Sequence, residues 1–156
     1  MKKLKSDEKQ LKATLPTMEI QTVDFQDEEA MKSVFNGLLS HNEKFAPRNK
    51  RDFTVIIRDN EVIVGVAMGE SKYDWLILQY LWVEESFRGK GLGILLLQKL
   101  DELALNRNLI GIHTDTFEFQ AREFYEKAGY KVFGEIANHP RGYKRYFLKK
   151  LIASKF

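Results

Sequence analysis

Residues 81–100 read LWVEESFRGKGLGILLLQKL. An apolar, aromatic run ends at Val83, a charged and glycine-rich turn follows, and from Leu92 the leucines recur at helical spacing. A strand, a turn and a helix meet here, with Arg88-Gly89-Lys90-Gly91-Leu92-Gly93 at the junction. Glycine costs about 0.5–1 kcal/mol relative to alanine inside a regular element, so three glycines at alternate positions need a reason. A helix that starts after Gly91 points unpaired N–H groups and the positive end of its dipole at whatever lies before it. Arg88 and Lys90 add positive charge at the rim. Such a junction suits a diphosphate.

Two nucleotide cradles fit the spacing poorly. No lysine-serine or lysine-threonine follows the glycines, as a P-loop requires. The dinucleotide fingerprint G-x-G-x-x-G fails as well, because its last position falls on Ile94 when counted from Gly89 and on Leu96 when counted from Gly91. The spacing present is R-x-x-G-x-G.

Outward from the junction, the chain alternates strands and helices. Residues 17–23 (TMEIQTV) predict a first strand, and residues 26–39 a helix with Asp27, Glu28 and Glu29 in its first turn. Asn36-Gly37 makes the end of that helix irregular. FTVIIR and EVIVGVAM, joined at Asp59-Asn60, predict a β-hairpin. Residues 72–84 form the next antiparallel strand. Leu92, Leu95, Leu96, Leu100, Leu103 and Ala104 mark a helix ended by Asn108. Residues 109–112 are a short apolar run of the kind found in a buried parallel strand, and a helix over 120–128 stops at Gly129. Residues 130–136 and 143–151 close the sheet as an antiparallel pair. The order β-α-β-β-β-α-β-α-β-β predicts an α/β fold with a mixed, mostly antiparallel sheet and helices on both faces. Its crossover through the glycine loop is right-handed. Residues 1–16 read as a polar tail and 17–156 as a single domain.

Bulk properties narrow the function classes. A chain of 156 residues with 44% hydrophobic and 30% charged residues is an ordinary globular composition. The net charge of +3 comes without a basic block interleaved with aromatics, so no nucleic acid is expected. With no cysteine, disulfides, thiolate metal sites and cysteine nucleophiles are excluded. His41, His113 and His139 share no ligand spacing, so no metal is expected. No apolar run approaches the ~20 residues of a membrane span, the basic start lacks an apolar signal region, and a cytoplasmic location is the expectation.

The loop RGKGLG, its strand–loop–helix surroundings and the later segment FQAREFYEKAGYKVFGE together resemble the GNAT superfamily of acyl-CoA-dependent N-acyltransferases. LWV, DTFEFQAREFYEKAGY and KRYFLKK resemble a bacterial single-domain branch of it. The resemblance implies the family fold over about residues 17–151, with a splayed parallel strand pair, and acetyl-CoA as cosubstrate. Arg88, Gly89, Lys90, Gly91, Leu92 and Gly93 would bind its pyrophosphate. Main-chain groups of Leu81, Trp82 and Val83 would bind the pantetheine arm, with the Val83 N–H as oxyanion donor. Tyr125 would contact the cofactor and protonate the departing thiolate. As bare residues, the same tyrosine and its neighbours Phe117, Ala121, Phe124 and Ala128 read as a core stripe. Where the family often has asparagine on the way into this helix, the chain has Glu118.

The general base is left unassigned. Residues 75–83 hold no carboxylate; Gln79 could position a water, and Glu84, Glu85, Asp115 and His113 each have an ordinary structural reading. The resulting expectation is an acetyl-CoA-dependent N-acetyltransferase acting on a primary amine by direct transfer, the acceptor being a small molecule before a protein. Residues 26–47, the loop 136–143, Tyr80 and Trp82 would build the acceptor site. A non-catalytic acyl-CoA-binding module, and an acyltransferase with another acyl chain or acceptor, remain as alternatives. The aromatic, basic last strand KRYFLKKLI reads as an edge that could pair in a homodimer.

Overall fold

The computed structural model describes residues 19–152. The described residues fall into two compact units, one ending at Phe45 and the other starting at Ala46. In the first, α1 (Glu28–Val34) starts at Asp27, whose carboxylate accepts from the Ala30 N–H at 2.8 Å. Glu28 and Glu29 complement its dipole. The irregularity expected at Asn36-Gly37 is a π-helical turn, Phe35–Leu39, after which α2 (Ser40–Glu43) continues the helix. The strand expected over 17–23 does not form among the described residues, Thr17 and Met18 lying outside them. Its alternation breaks where Thr22 and Val23 follow Ile20, and residues 19–23 have no ladder partner.

The second unit is a six-stranded mixed sheet with two helices. Its strands are β1 (Arg51–Asp59), β2 (Val62–Lys72), β3 (Trp75–Val83), β4 (Gly111–Phe117), β5 (Lys131–Ala137) and β6 (Lys144–Leu151). They lie in the order β1-β2-β3-β4-β6-β5, and only the β3–β4 contact is parallel. β6 is flanked on both sides, so the last strand is not the edge its sequence suggested; among the described residues β5 and β1 are the edges. Tyr73 and Asp74 both adopt positive φ, 49° and 66°, and make the tight turn that divides β2 from β3. Neither residue is a glycine or asparagine, so the sequence reading starts β3 at 72, three residues before the strand itself begins.

Helix α3 (Leu92–Asn106) buries Leu96, Leu97, Leu100 and Ala104 against Ala67, Leu76, Leu78, Ile112 and Leu148. Each buried leucine contributes roughly 1.5–3 kcal/mol. Leu97 takes the inward place the periodicity assigned to Leu95, which is exposed. Arg107 ties the end of α3 to the sheet, donating to the Ser71 hydroxyl at 2.9 Å and to the Arg51 and Asp52 carbonyls. α4 (Arg122–Lys127) packs into the same core through Tyr125 and Phe124.

β4 starts two residues later than the apolar run and extends to Phe117, because Thr114 and Thr116 alternate inward with Ile112.

Candidate active site

β3 and β4 pair at only three positions, Trp75 with Gly111, Leu76 with Ile112 and Ile77 with His113. One residue further on, the Thr114 hydroxyl donates to the Leu78 carbonyl at 2.9 Å. Beyond that bond the two strands part, and β3 runs on to Val83 with one edge unpaired. The residue partners change from Gly69–Leu78 to Met68–Tyr80, leaving Gln79 as the extra residue of a β-bulge. Gly69 is required there: a Cβ at this position would stand on the Ile77 carbonyl oxygen.

The bulge decides which backbone groups face the split. The Glu84 N–H donates to the Val64 carbonyl at 2.9 Å, and the register pairs Trp82 with Val66 and Val83 with Gly65. Antiparallel pairs alternate between hydrogen-bonded and non-bonded, so Trp82 points its amide at β2 while Leu81 and Val83 point theirs away from it. The Val83 carbonyl confirms that direction, since Arg88 Nε donates to it at 3.0 Å. Sequence reasoning grouped Leu81, Trp82 and Val83 together; the register separates Trp82 from the other two.

A short 3-10 turn, Glu85–Phe87, leads into the glycine loop. Gly89 and Gly91 have φ of 72° and 83°, a conformation that favours glycine, and no atom lies within 4 Å of where either Cβ would stand. Gly91 caps α3 without any side-chain hydrogen bond. The first amide of the helix with an acceptor is that of Leu95, on the Gly91 carbonyl at 3.0 Å. Among the described residues, the amides of residues 89–94 have no acceptor. Gly93 has a different reason to be glycine: its missing Cβ would lie 3.0 Å from the Phe124 ring. Lys90 Nζ stands 4.9 Å over the Phe87 ring, so both cations are held beside the loop.

These elements enclose a cavity of about 420 Å³ lined by Leu81, Trp82 and Val83, by Phe87, Arg88, Gly89, Gly91, Leu92 and Gly93, and by Ala121 and Phe124. The strand residues and all of the loop except Lys90 therefore meet at one opening. Phe124 and Ala121 were read from the sequence only as core; the signal for their second role is the pairing of Phe124 with Gly93. Tyr125 does not line this cavity. It is buried behind Phe124, with ring centroids 5.2 Å apart, and packs edge-on against Tyr130 at 5.5 Å. Burial pushes its hydroxyl up to about 12, partly opposed by hydrogen bonding from Thr114. Thr114 was not singled out in the sequence.

The acidic candidates are mostly occupied. Asp115 accepts from Arg145 Nε at 2.7 Å, and Glu118 accepts from the Lys144 amide at 3.0 Å. His113 lies on the face of β4 opposite Thr114, 6.1 Å from the Trp75 ring, and burial lowers its pKa. Tyr80 and Trp82 are exposed together on one face of β3. Near the β5–β6 turn, Phe119 stacks on Phe117 at 5.3 Å and meets Tyr143 edge-on at 4.9 Å. Among the described residues no group of acids and histidines has the makings of a metal site, and no helix is long and apolar enough to cross a membrane.

Residues 15–130 match the family described as acetyltransferase (GNAT). The chain is 32% identical over 129 residues to an acetyltransferase of Agrobacterium fabrum, covering 81% of this chain and 94% of that one. It is 33% identical over 89 residues to blasticidin-S acetyltransferase of Streptomyces morookaense, covering 56% of this chain and 65% of that one. Among solved structures, an acetyltransferase from Bacillus cereus superposes with a TM-score of 0.77 at 27% identity, over 86% of this chain and 99% of that one.

Proposed function

The chain belongs to the acetyltransferase (GNAT) family, and from that premise we propose that it transfers the acetyl group of acetyl-CoA directly to a primary amine of a small molecule. The observation that carries the reading is that two sets of free main-chain donors belong to residues lining one cavity. The six amides of residues 89–94 head α3, and the amides of Leu81 and Val83 follow along the open edge of β3. Open space over Gly89 and Gly91 lets a diphosphate approach the loop. The two strand amides suit the amide-bearing pantetheine arm. The relative named for acetylating blasticidin S supports a small acceptor.

When bound, acetyl-CoA supplies a thioester whose acyl carbon bonds to the amine nitrogen as its bond to sulfur breaks. The Val83 N–H is the donor assigned to the carbonyl oxygen while negative charge develops on it; a fixed donor of this kind contributes about 10²–10³ in kcat. Tyr125 keeps its proton throughout the neutral range; the family resemblance gives it the role of acid toward the departing sulfur, although it stands behind Phe124 and outside the cavity lining. Holding both reactants in register supplies much of the remaining acceleration. No side chain is assigned as base: β3 carries no carboxylate, and Asp115 is held by Arg145. The amine enters neutral, having left its surplus proton in solvent.

Calorimetric titration with acetyl-CoA, followed by thiol release against a panel of small amines, polyamines, amine-bearing antibiotics and lysine peptides, tests the reading. Micromolar binding is expected, together with thiol release and an acetylated product for a small amine. Binding without release on any amine would leave a non-catalytic acyl-CoA module, and absence of binding would sink both. Repeating the assay with longer acyl-CoAs separates acetyl transfer from other acyl transfer.

A further inference from the structure

The sheet has a second opening, on the face away from α3. Side chains alternate along a strand, so while Leu76, Leu78, Ile112 and Leu148 enter the core, Trp75, Ile77, His113 and Lys149 lie on the other face. There, with Phe133 and the turn residues Lys72 and Tyr73, they border a cavity of about 400 Å³. It shares no lining residue with the opening beside the glycine loop. Ile77 and His113 are the last paired residues of β3 and β4, so this cavity backs onto the apex of the split. The sequence makes room for its wall at Gly111. A Cβ there would stand 2.6 Å from the Trp75 ring, so the glycine leaves the indole space to lie across β4.

The lining is aromatic and basic. Trp75 and Phe133 are flat apolar surfaces, and Phe133 is left 57% exposed, so covering it with another ring is favourable. Lys149 Nζ stands 5.4 Å over the Phe133 ring and Lys72 Nζ 5.0 Å over the Tyr73 ring. Among the described residues neither ammonium pairs with an acid, and no carboxylate lines the cavity. His113 is half-buried, and burial lowers its pKa. Its neutral imidazole offers one N–H to donate. Cations at the rim of an apolar cavity draw an anion, and the aromatic walls favour a flat one. From this arrangement we propose that the cavity is a second ligand site, which takes a planar aromatic acid of one or two rings. The rings lie against Trp75 and Phe133, and the acid group is met by Lys72 and Lys149, whose flexible stems let both ammonium groups reach it. The volume, near the lower end of the range for organic ligands, sets the size.

The test uses the full chain and 2-naphthoate, with 2-naphthamide as its uncharged counterpart and 2-naphthylmethylammonium as a cation of the same shape. The chain has two tryptophans, Trp75 and Trp82, and each lines one of the two openings. Their indole N–H signals in a nitrogen–proton correlation spectrum therefore report on the openings separately, with Trp75→Phe assigning them. Added 2-naphthoate should move the Trp75 signal with a Kd of about 1 mM or tighter and leave the Trp82 signal in place. The amide and the ammonium should bind about tenfold more weakly or worse, the value of one hydrogen bond to a charged group. Lys72→Met combined with Lys149→Met keeps the apolar stems. It should lower 2-naphthoate affinity by about tenfold or more while leaving that of 2-naphthamide unchanged. A shift at Trp82 alone, equal affinity for all three naphthalenes, or a Trp75 signal that does not move would each overturn the proposal. So would a Trp75 signal that moves when the free protein is diluted, because a second copy of the chain would then be what fills the cavity. None of these readouts requires acetyl transfer.

Discussion

The two halves of β3 have nearly the same composition and opposite roles. In the first half, Trp75, Leu76 and Ile77 are paired with β2 on one side and β4 on the other. In the second half, from Tyr80 to Val83, β2 is still paired but β4 has moved away. Side chains alternate in both: Leu76 and Leu78 face the core, and after the bulge so do Leu81 and Val83, which pack against it. Apolar side chains thus do the same work throughout, and the difference lies in the backbone edge. Where both edges are paired the strand only supports the core. Where one edge is free, the strand carries a row of donors beside a cavity, and it reads as a site.

The sharpest way to break this contrast is at Gly69, the glycine opposite the bulge. In Gly69→Val the new side chain collides with the Ile77 carbonyl, which is backbone and cannot swing aside. Loss of the bulge would shift the alternation by one residue and turn the wrong amides toward the split. The expected cost is on the order of 3 kcal/mol or more, seen as a fall in Tm or failure to fold. Gly65, whose missing Cβ would make only ordinary contacts of 3.4–3.5 Å, is the control: Gly65→Ala should change Tm by only a few degrees. Equal losses at both positions would show that the bulge has no special standing.

Gly91→Asp addresses the other set of donors. Nothing lies within 4 Å of the new Cβ, so the fold should persist, with about 1–2 kcal/mol lost to the left-handed φ. A carboxylate about 4 Å from a phosphate costs about 4 kcal/mol at an effective dielectric of 20. Acetyl-CoA affinity should therefore fall about a thousandfold by calorimetry, while the circular dichroism spectrum stays the same. Unchanged affinity would mean that the loop is only a turn.

Proline distinguishes neighbouring residues on the free half of β3. Val83→Pro removes an amide that faces the split and leaves the β2 ladder intact. Trp82→Pro removes one that the ladder uses. The first should fold and lose kcat by about 10²–10³; the second should lose stability, with a lower Tm. The reverse pattern would show that the register has been misread and that Val83 offers no donor to the split.

This contrast explains what could be seen in the sequence. The apolar run before RGKGLG, the helix after it and the hairpin of β1 and β2 were legible because side-chain periodicity carries them. The family resemblance named the loop and the strand residues. Backbone direction was not legible: whether Trp82 or Val83 faces the split depends on a single bulge, whose only trace is a glycine at 69 among other glycines. Thr114 and Thr116 were hidden for the opposite reason, since polar residues on a buried face look like an exposed one. The Tyr73-Asp74 turn escaped notice because neither residue is glycine or asparagine, although both adopt positive φ.

The smallest expected effect tests whether the three glycines of RGKGLG serve one purpose. Gly89 and Gly91 are glycine for their conformation and for the open space above them, whereas Gly93 has a ring against it. In Gly93→Ala the methyl must push the Phe124 edge away by a few tenths of an ångström. Overpacking of this kind costs about 1 kcal/mol or somewhat more, offset in part because alanine favours a helix over glycine by ~1 kcal/mol. The net change in Tm should be a few degrees at most. Because Phe124 also lines the cavity, its displacement should reach the ligand: acetyl-CoA affinity should drop severalfold while thermal stability hardly changes. Gly93→Ala combined with Phe124→Leu, which makes room for the methyl, should recover that affinity. If it does not, Gly93 belongs with Gly89 and Gly91, and the helix start rather than the ring is what the ligand requires.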